Sequence, residues 1–257
     1  MARFRHEQFR ARDLREAKGT ATVTVLIPAR DESRTIGPIV HCVRRELCAP
    51  GGAGLVDDLV VVDDASSDDT AAVAAAAGAE VLAGPGVGKG GAMSLARGRG
   101  DLVVFLDGDV TNFGPHFVTG ALGPLLFCRD VTLVKGAYVR EPASRLAPPA
   151  GGGRVTELVA KPLVSLLFPE LCTLADMSQP LAGETAVRRE VLDAVALEPD
   201  YGVEIGLLID VARRYGTSAV AEVDLGVRQH RNRPLGELSH QARQVMEAML
   251  SRAGVIT

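Results

Sequence analysis

Four β-rich runs punctuate the first half of the chain, and each stops on glycine, proline or acidic residues. They are TVTVLIPA (22–29), LVDDLVVVDDAS (55–66), AEVLAG (79–84) and DLVVFLDGD (101–109). Helix-length segments separate them. SRTIGPIVHCVRREL (33–47) carries apolar residues at helical spacing (Ile36, Ile39, Val40, Val43). SDDTAAVAAAAGA (67–79) opens on capping residues and stops at Gly78, and GPGVGKGGAMSLARGRG (84–100) is a glycine-rich loop feeding a helix. Strands separated by helices of this length make βαβ units, so the chain is predicted to fold as an α/β protein around a mostly parallel sheet. Composition agrees. Apolar residues make up 47% but aromatics only 4%, with no Trp. A core of Val, Leu, Ile and Ala suits helices covering a parallel sheet.

The second half is less regular. Helices are expected over 116–127, 156–171 (interrupted by Pro162), 204–216 and 237–252, with strands over 131–141 and 218–227 and a Pro/Gly loop over 142–154. Residues 1–21 read as a basic arm, helical or frayed. Residues 22–115 and 116–257 form two halves of one domain. Net charge is −4, which argues against a general nucleic-acid binder. Cys42, Cys48, Cys128 and Cys172 form no CxxC pair and read as reduced thiols of a cytoplasmic protein. The N-terminus lacks the apolar segment of a secretory signal, and no run of 18 apolar residues occurs.

The strand ends carry the chemistry. In open α/β sheets, ligands bind beyond the carboxyl ends of the strands. Asp63–Asp64 and Asp107–Asp109 stand at two such ends. Carboxylates in D-x-D spacing lie on one side of an extended chain and repel unless a cation relieves them. Oxygen ligands suit Mg²⁺ or Mn²⁺, which bind through one or two carboxylates plus phosphate oxygens. Read alone, D-x-D also fits an ordinary capped turn. Lys89, in Gly88-Lys89-Gly90, reads as a phosphate-facing cation or as a surface lysine; the spacing is not that of a P-loop.

The ordered blocks VLIPARDES, VVVDDASSDDT, GKGGAM and VVFLDGD resemble the nucleotide-sugar glycosyltransferases of the GT-A fold. GGGRVTELVAKPL, QPLAGETAVRRE, YGVEIGLLID and LGVRQHRNRPL sharpen this to the glucosyl-3-phosphoglycerate synthases and their mannosyl relatives. The resemblance spans roughly residues 20 to 250. It implies a GT-A, Rossmann-like sheet with a C-terminal acceptor-binding half. It also implies a retaining, metal-dependent transfer of glucose from UDP-glucose to a small phosphorylated acceptor, 3-phosphoglycerate first, in a homodimer. Residue by residue, it places Pro28, Ala29, Glu32, Asp64 and Ser66 around the nucleotide. Lys89 falls at the uracil ring or the diphosphate, Asp107 at the ribose or behind the metal ligand, Gly183 and Glu184 at the sugar, Arg233 at the diphosphate, and Asp109 and His230 on Mg²⁺ or Mn²⁺. Gly153, Arg154, Thr156 and Asn232 clamp the acceptor, and Glu204, with Asp109, serves catalysis.

Departures from the family pattern are Arg30-Asp31 before Glu32, Gly108 in place of serine, and CTLADMS (172–178) beside the sugar block. The first bears on the nucleotide contacts and the last on the pocket beside the sugar block; the acceptor is the open point, with a nucleotide as the alternative. A non-catalytic nucleotide-sugar binder would need no His230. A sugar-phosphate nucleotidylyltransferase would need a longer glycine signature with Arg and Lys after the first strand, which LIPARDES lacks.

Overall fold

The structure is a computed structural model that describes residues 1–140, 153–229 and 235–256. Its strands are β1 (Ala2–Arg5), β2 (Val23–Ala29), β3 (Asp58–Asp63), β4 (Glu80–Ala83), β5 (Leu102–Phe105), β6 (Leu133–Arg140), β7 (Thr185–Arg188) and β8 (Val220–Arg228). Helices are α1 (Ala11–Lys18), α2 (Ile36–Leu47), α3 (Thr70–Ala76), α4 (Lys89–Ser94), α5 (His116–Phe127), α6 (Lys161–Leu167), α7 (Arg189–Asp193), α8 (Val203–Tyr215) and α9 (Leu235–Arg252). The strands form one sheet in the order β1-β8-β6-β7-β5-β2-β3-β4. Every neighbouring pair is parallel except those made by β7, which runs antiparallel to β5 and β6.

The strand sequences are apolar on both faces because both faces are covered. Val25, Ile27, Val61 and Val104 point to one side and meet Leu14 of α1, Ile39 and Val43 of α2, and Phe117 and Leu122 of α5. Leu26, Val60, Val62, Val103 and Phe105 point to the other and meet Met93 of α4, Val164 of α6, Leu208 of α8 and Met249 of α9.

Two features open a crevice at the carboxyl edge of the sheet. Alternate residues of β2 bond to alternate neighbours: Leu26 O accepts from Leu106 N, and Ala29 O from Asp64 N. The N–H that Pro28 lacks therefore falls on the β5 side, and pairing with β5 ends at Leu26–Phe105. The antiparallel β7 begins opposite the end of β5, with Thr185 against Phe105. Its lead-in residues, Gly183 and Glu184, thus stand on the same edge as the ends of the parallel strands.

The N-terminal segment differs from the expected arm. Residues 2–5 are an edge strand paired with β8, and the segment after it lies on α5. An added Cβ at Gly120 would press on His6, and one at Gly123 would overlap the Phe9 ring. Four alternating residues, ARFR, are too short a pattern to announce a strand; the docking groove that holds them is made elsewhere in the chain. The helix expected over 156–171 also differs. It is π-helical over Thr156–Ala160, continues as α6, and gives way to a 3-10 segment, Pro169–Asp176. The wider turn accommodates Pro162, which has no N–H to donate and whose ring crowds the carbonyl four residues back. The loop expected over 142–154 lies mostly outside the described residues.

Gly123→Ala should lower stability by about 1–3 kcal/mol through overpacking against Phe9, read as a shift in the urea midpoint. An unchanged midpoint would contradict the seating of the N-terminal segment on α5.

Candidate active site

The carboxyl edge gathers charged side chains from five elements. Asp107 and Asp109 leave the end of β5. Lys89, the first residue of α4, places its Nζ 2.5 Å from Asp107 Oδ1 and 2.6 Å from Glu204 Oε1 at the start of α8. From the end of β8, one terminal nitrogen of Arg228 donates to both aspartates, 2.7 Å to Asp107 Oδ2 and 2.8 Å to Asp109 Oδ1. Its other terminal nitrogen donates to Tyr138 Oη at 2.7 Å, and the guanidinium lies over the Tyr138 ring, 4.9 Å from its centre. Glu184 Oε1 lies 3.3 Å from Arg228 Nε. Gly183 packs so closely under Asp107 that an added Cβ would overlap its carboxylate.

Beneath this layer sits Lys135, fully buried, which donates to Ala182 O at 2.5 Å and Thr185 Oγ1 at 2.9 Å. Burial pulls its ammonium down to about 8, and Lys89 adds to this while the neighbouring carboxylates oppose it. Glu184 is fully buried, and among the described residues neither of its oxygens has a hydrogen-bond partner. Burial lifts its carboxyl to about 7; Arg228 pulls the other way and Asp107 adds to the rise. For Lys89 burial is outweighed by Asp107 and Glu204, which hold it protonated well above the ordinary lysine range.

The nucleotide-side candidates lie beside this cluster. Asp64 is buried, and its carboxylate accepts from Gly86 N at 2.7 Å and Gly88 N at 2.8 Å. It therefore shapes the glycine loop. The glycines themselves serve close packing: an added Cβ at Gly90 would overlap the Glu198 carbonyl, and Gly88 sits at φ 88° against Asp200. The backbone approach expected for a ligand is thus made to the segment before α8, and Lys89 is aimed inward as a result. Ser66 Oγ accepts from Asp31 N at 3.0 Å, and Asp31 is in the left-handed region at φ 57°. Glu32 is seated by Glu32 N donating to Thr70 Oγ1 at 2.8 Å. Pro28, Ala29 and Glu32 all flank Gly108, with a built Cβ there making ordinary contact at 3.5–3.7 Å. Asp63 Oδ1 is buried and has no hydrogen-bond partner among the described residues.

On the acceptor side, Gly153 and the exposed Arg154 lead into the π-helical turn, and Thr156 is buried at its start. A cavity of about 740 Å³ opens nearby, lined among others by Arg3, Arg5, Tyr138, Lys161 and Glu222. His230, Asn232 and Arg233 lie outside the described residues.

Arg228, Lys135 and Tyr138 had no part in the sequence-based site. Arg228 and Lys135 carried a signal: a cation within or at the end of an otherwise apolar strand is costly to bury unless it meets compensating polar or anionic groups. Which groups it meets follows from strand order alone.

The donor set fits a hard divalent cation. Two carboxylates converge on one point that already attracts a positive group, and oxygen donors of this kind bind Mg²⁺ or Mn²⁺ together with phosphate oxygens. Among the described residues no group of three His, Cys, Asp or Glu is placed to hold a metal ion.

Residues 24–135 match the model of glycosyl transferase family 2. Over 95% of its length, the chain is 47% identical to the glucosyl-3-phosphoglycerate synthase of Mycolicibacterium paratuberculosis, of which it spans 76%. It also superposes on the glucosyl-3-phosphoglycerate synthase of Mycobacterium tuberculosis in complex with phosphoglyceric acid. The TM-score is 0.87 at 42% identity, over 100% of this chain and 89% of that one. The complex of the same M. tuberculosis enzyme with Mn²⁺, UDP and glucosyl-3-phosphoglycerate gives 0.84 at 42% identity, over 97% and 86%.

Glu184 supplies a pH signature. A carboxyl that keeps its proton in the fold to about pH 7, against 4.5 when free, favours the folded state at acid pH. That contribution is lost as pH rises through the window from 4.5 to 7. Glu184→Gln should therefore remove this slope from the Tm–pH profile and melt above the parent protein at pH 8. Parallel profiles for the two proteins would contradict the assignment.

Proposed function

The chain belongs to the glucosyl-3-phosphoglycerate synthase family, and from that premise we propose that it transfers glucose from UDP-glucose to a small phosphorylated acceptor, 3-phosphoglycerate first. The observation that carries this reading is the convergence of Asp107, Asp109, Lys89, Arg228 and Glu204 on one strand-end crevice, with ion-pair distances of 2.5–2.8 Å.

In this reading Asp109, with His230, holds Mn²⁺ or Mg²⁺. When bound, the ion neutralises charge on the leaving diphosphate. The chain's own residues do the rest. Asp64, Ser66, Pro28, Ala29 and Glu32 shape the nucleotide wall. Lys89 and Arg233 supply cations to the diphosphate, where an arginine's planar fork suits two phosphate oxygens. Asp107 meets the ribose or lies behind the metal ligand, and Gly183 and Glu184 border the sugar. Gly153, Arg154, Thr156 and Asn232 hold the acceptor, with Arg154 reaching its phosphate.

Glu204 is clamped by Lys89, which favours a positioning role over attack on the sugar. In this reading the anomeric configuration is retained by same-face attack. The acceptor hydroxyl passes its proton to the departing phosphate oxygen as the sugar–oxygen bond breaks. Family membership further supports a homodimer. Free Cys42, Cys48, Cys128 and Cys172 support a reducing, cytoplasmic setting, and no helix among the described residues is long and apolar enough to cross a membrane.

The test is UDP release from UDP-glucose with Mn²⁺ across phosphorylated acceptors. Release should require 3-phosphoglycerate, stop with EDTA, and fall at least about 100-fold in Asp109→Ala. Release with a nucleotide acceptor instead would move the protein to another pathway with the same donor chemistry. UDP-glucose binding without any turnover would favour the non-catalytic binder.

A further inference from the structure

The cluster at the carboxyl edge is nearly balanced before any ligand arrives. Three carboxylates, Asp107, Asp109 and Glu204, are paired with two cations, Lys89 and Arg228, and Glu184 lies beside Arg228. Arg228 is the cation that touches both aspartates of the D-x-D pair. It is also held firmly. Tyr138 accepts from it and lies beneath it, Glu184 lies alongside, and its side chain is only 4% exposed. It therefore remains beside Asp109 when other groups arrive. A bare divalent cation at Asp109 would stand close to this guanidinium and would find little uncompensated negative charge, and like charges at such range repel strongly in a partly desolvated site.

We propose that Arg228 is a positioning residue that sets the order of assembly: it suppresses binding of the free divalent cation and makes the cation's binding depend on the nucleotide diphosphate. The diphosphate brings the negative charge that both cations need and offers Arg228 the oxygen pairs that a guanidinium binds best. The two ligands are then coupled through Arg228, and the coupling is reciprocal. This inference rests on the reading of Asp109 as a metal ligand. It goes further in saying why the ion does not load alone.

The experiment is direct binding of Mn²⁺, by the EPR signal of the free ion, with and without saturating UDP. The proteins are the parent, Arg228→Gln, Arg228→Met, Arg228→Lys and Asp109→Ala, each checked for folding by circular dichroism. In the neutral variants Mn²⁺ alone should bind about tenfold tighter or more, and the tightening produced by UDP should shrink correspondingly. Arg228→Lys keeps the charge and should retain weak Mn²⁺ binding without UDP. Two neutral replacements guard against one of them failing to fold. Neutral variants that fold and bind Mn²⁺ alone no more tightly than the parent would overturn the proposal, as would a lysine variant that behaves like them. Asp109→Ala separates the two levels: loss of UDP-dependent Mn²⁺ binding upholds the metal site on which the inference stands. Retention at parental affinity would remove that site, and the inference with it.

Discussion

Like charges brought together at the end of a buried strand are the constraint on which the rest of this structure depends. Asp107 and Asp109 would not be stable side by side at the edge of an apolar sheet without compensation. The chain supplies it from remote positions, with Lys89 from the glycine loop and Arg228 from the last strand. Lys89 in turn pairs with Glu204, while Glu184 lies alongside Arg228 with no hydrogen-bond partner among the described residues and marks where the balance is least complete. Removing one member of such a buried set leaves another uncompensated, a cost of about 3–5 kcal/mol in general. The edge is thus a single electrostatic unit, and in the proposed function it receives a ligand that carries both signs, a metal-bound diphosphate.

The architecture explains how distant segments reach this unit. Parallel strands bring their carboxyl ends to one edge as a matter of geometry, and β7, reversed, adds its amino end to the same edge. The missing N–H of Pro28 ends the pairing of β2 with β5 and leaves a crevice. Glycines at 88, 90 and 183 allow backbone and side chains to close around the charges without a Cβ in the way. Each device is local, and each matters through what it permits at Asp107 and Asp109.

Much of this was legible in the sequence. Apolar runs ending on Asp63–Asp64 and Asp107–Asp109 announced strands, and the spacing of Ile36, Ile39 and Val43 announced a helix that buries those residues. The helix over 116–127 has the limits expected of it. Strand β1 was hidden because four residues carry too little periodicity, and its stability comes from β8 and α5. Strand β7 was hidden inside GETAVRRE, where alternation is just as brief. The roles of Arg228 and Lys135 were hidden for a different reason. A charged residue in an apolar strand signals a buried partner, but only the strand order says that Arg228 meets the D-x-D pair and that Lys135 meets the turn before β7. Asp64 illustrates the converse: its position was read from the strand end, while its hydrogen bonds to Gly86 and Gly88 make it a scaffold of the loop.

The most direct test of this account is the position of the metal. Crystals grown with UDP and Mn²⁺ should give one anomalous peak at the Mn absorption edge, against the Asp109 carboxylate, with Arg228 still within hydrogen-bonding distance of Asp107. A peak remote from Asp109, or a displaced Arg228 with the aspartates separated, would contradict the view that this charged strand edge is built as one unit around a metal diphosphate.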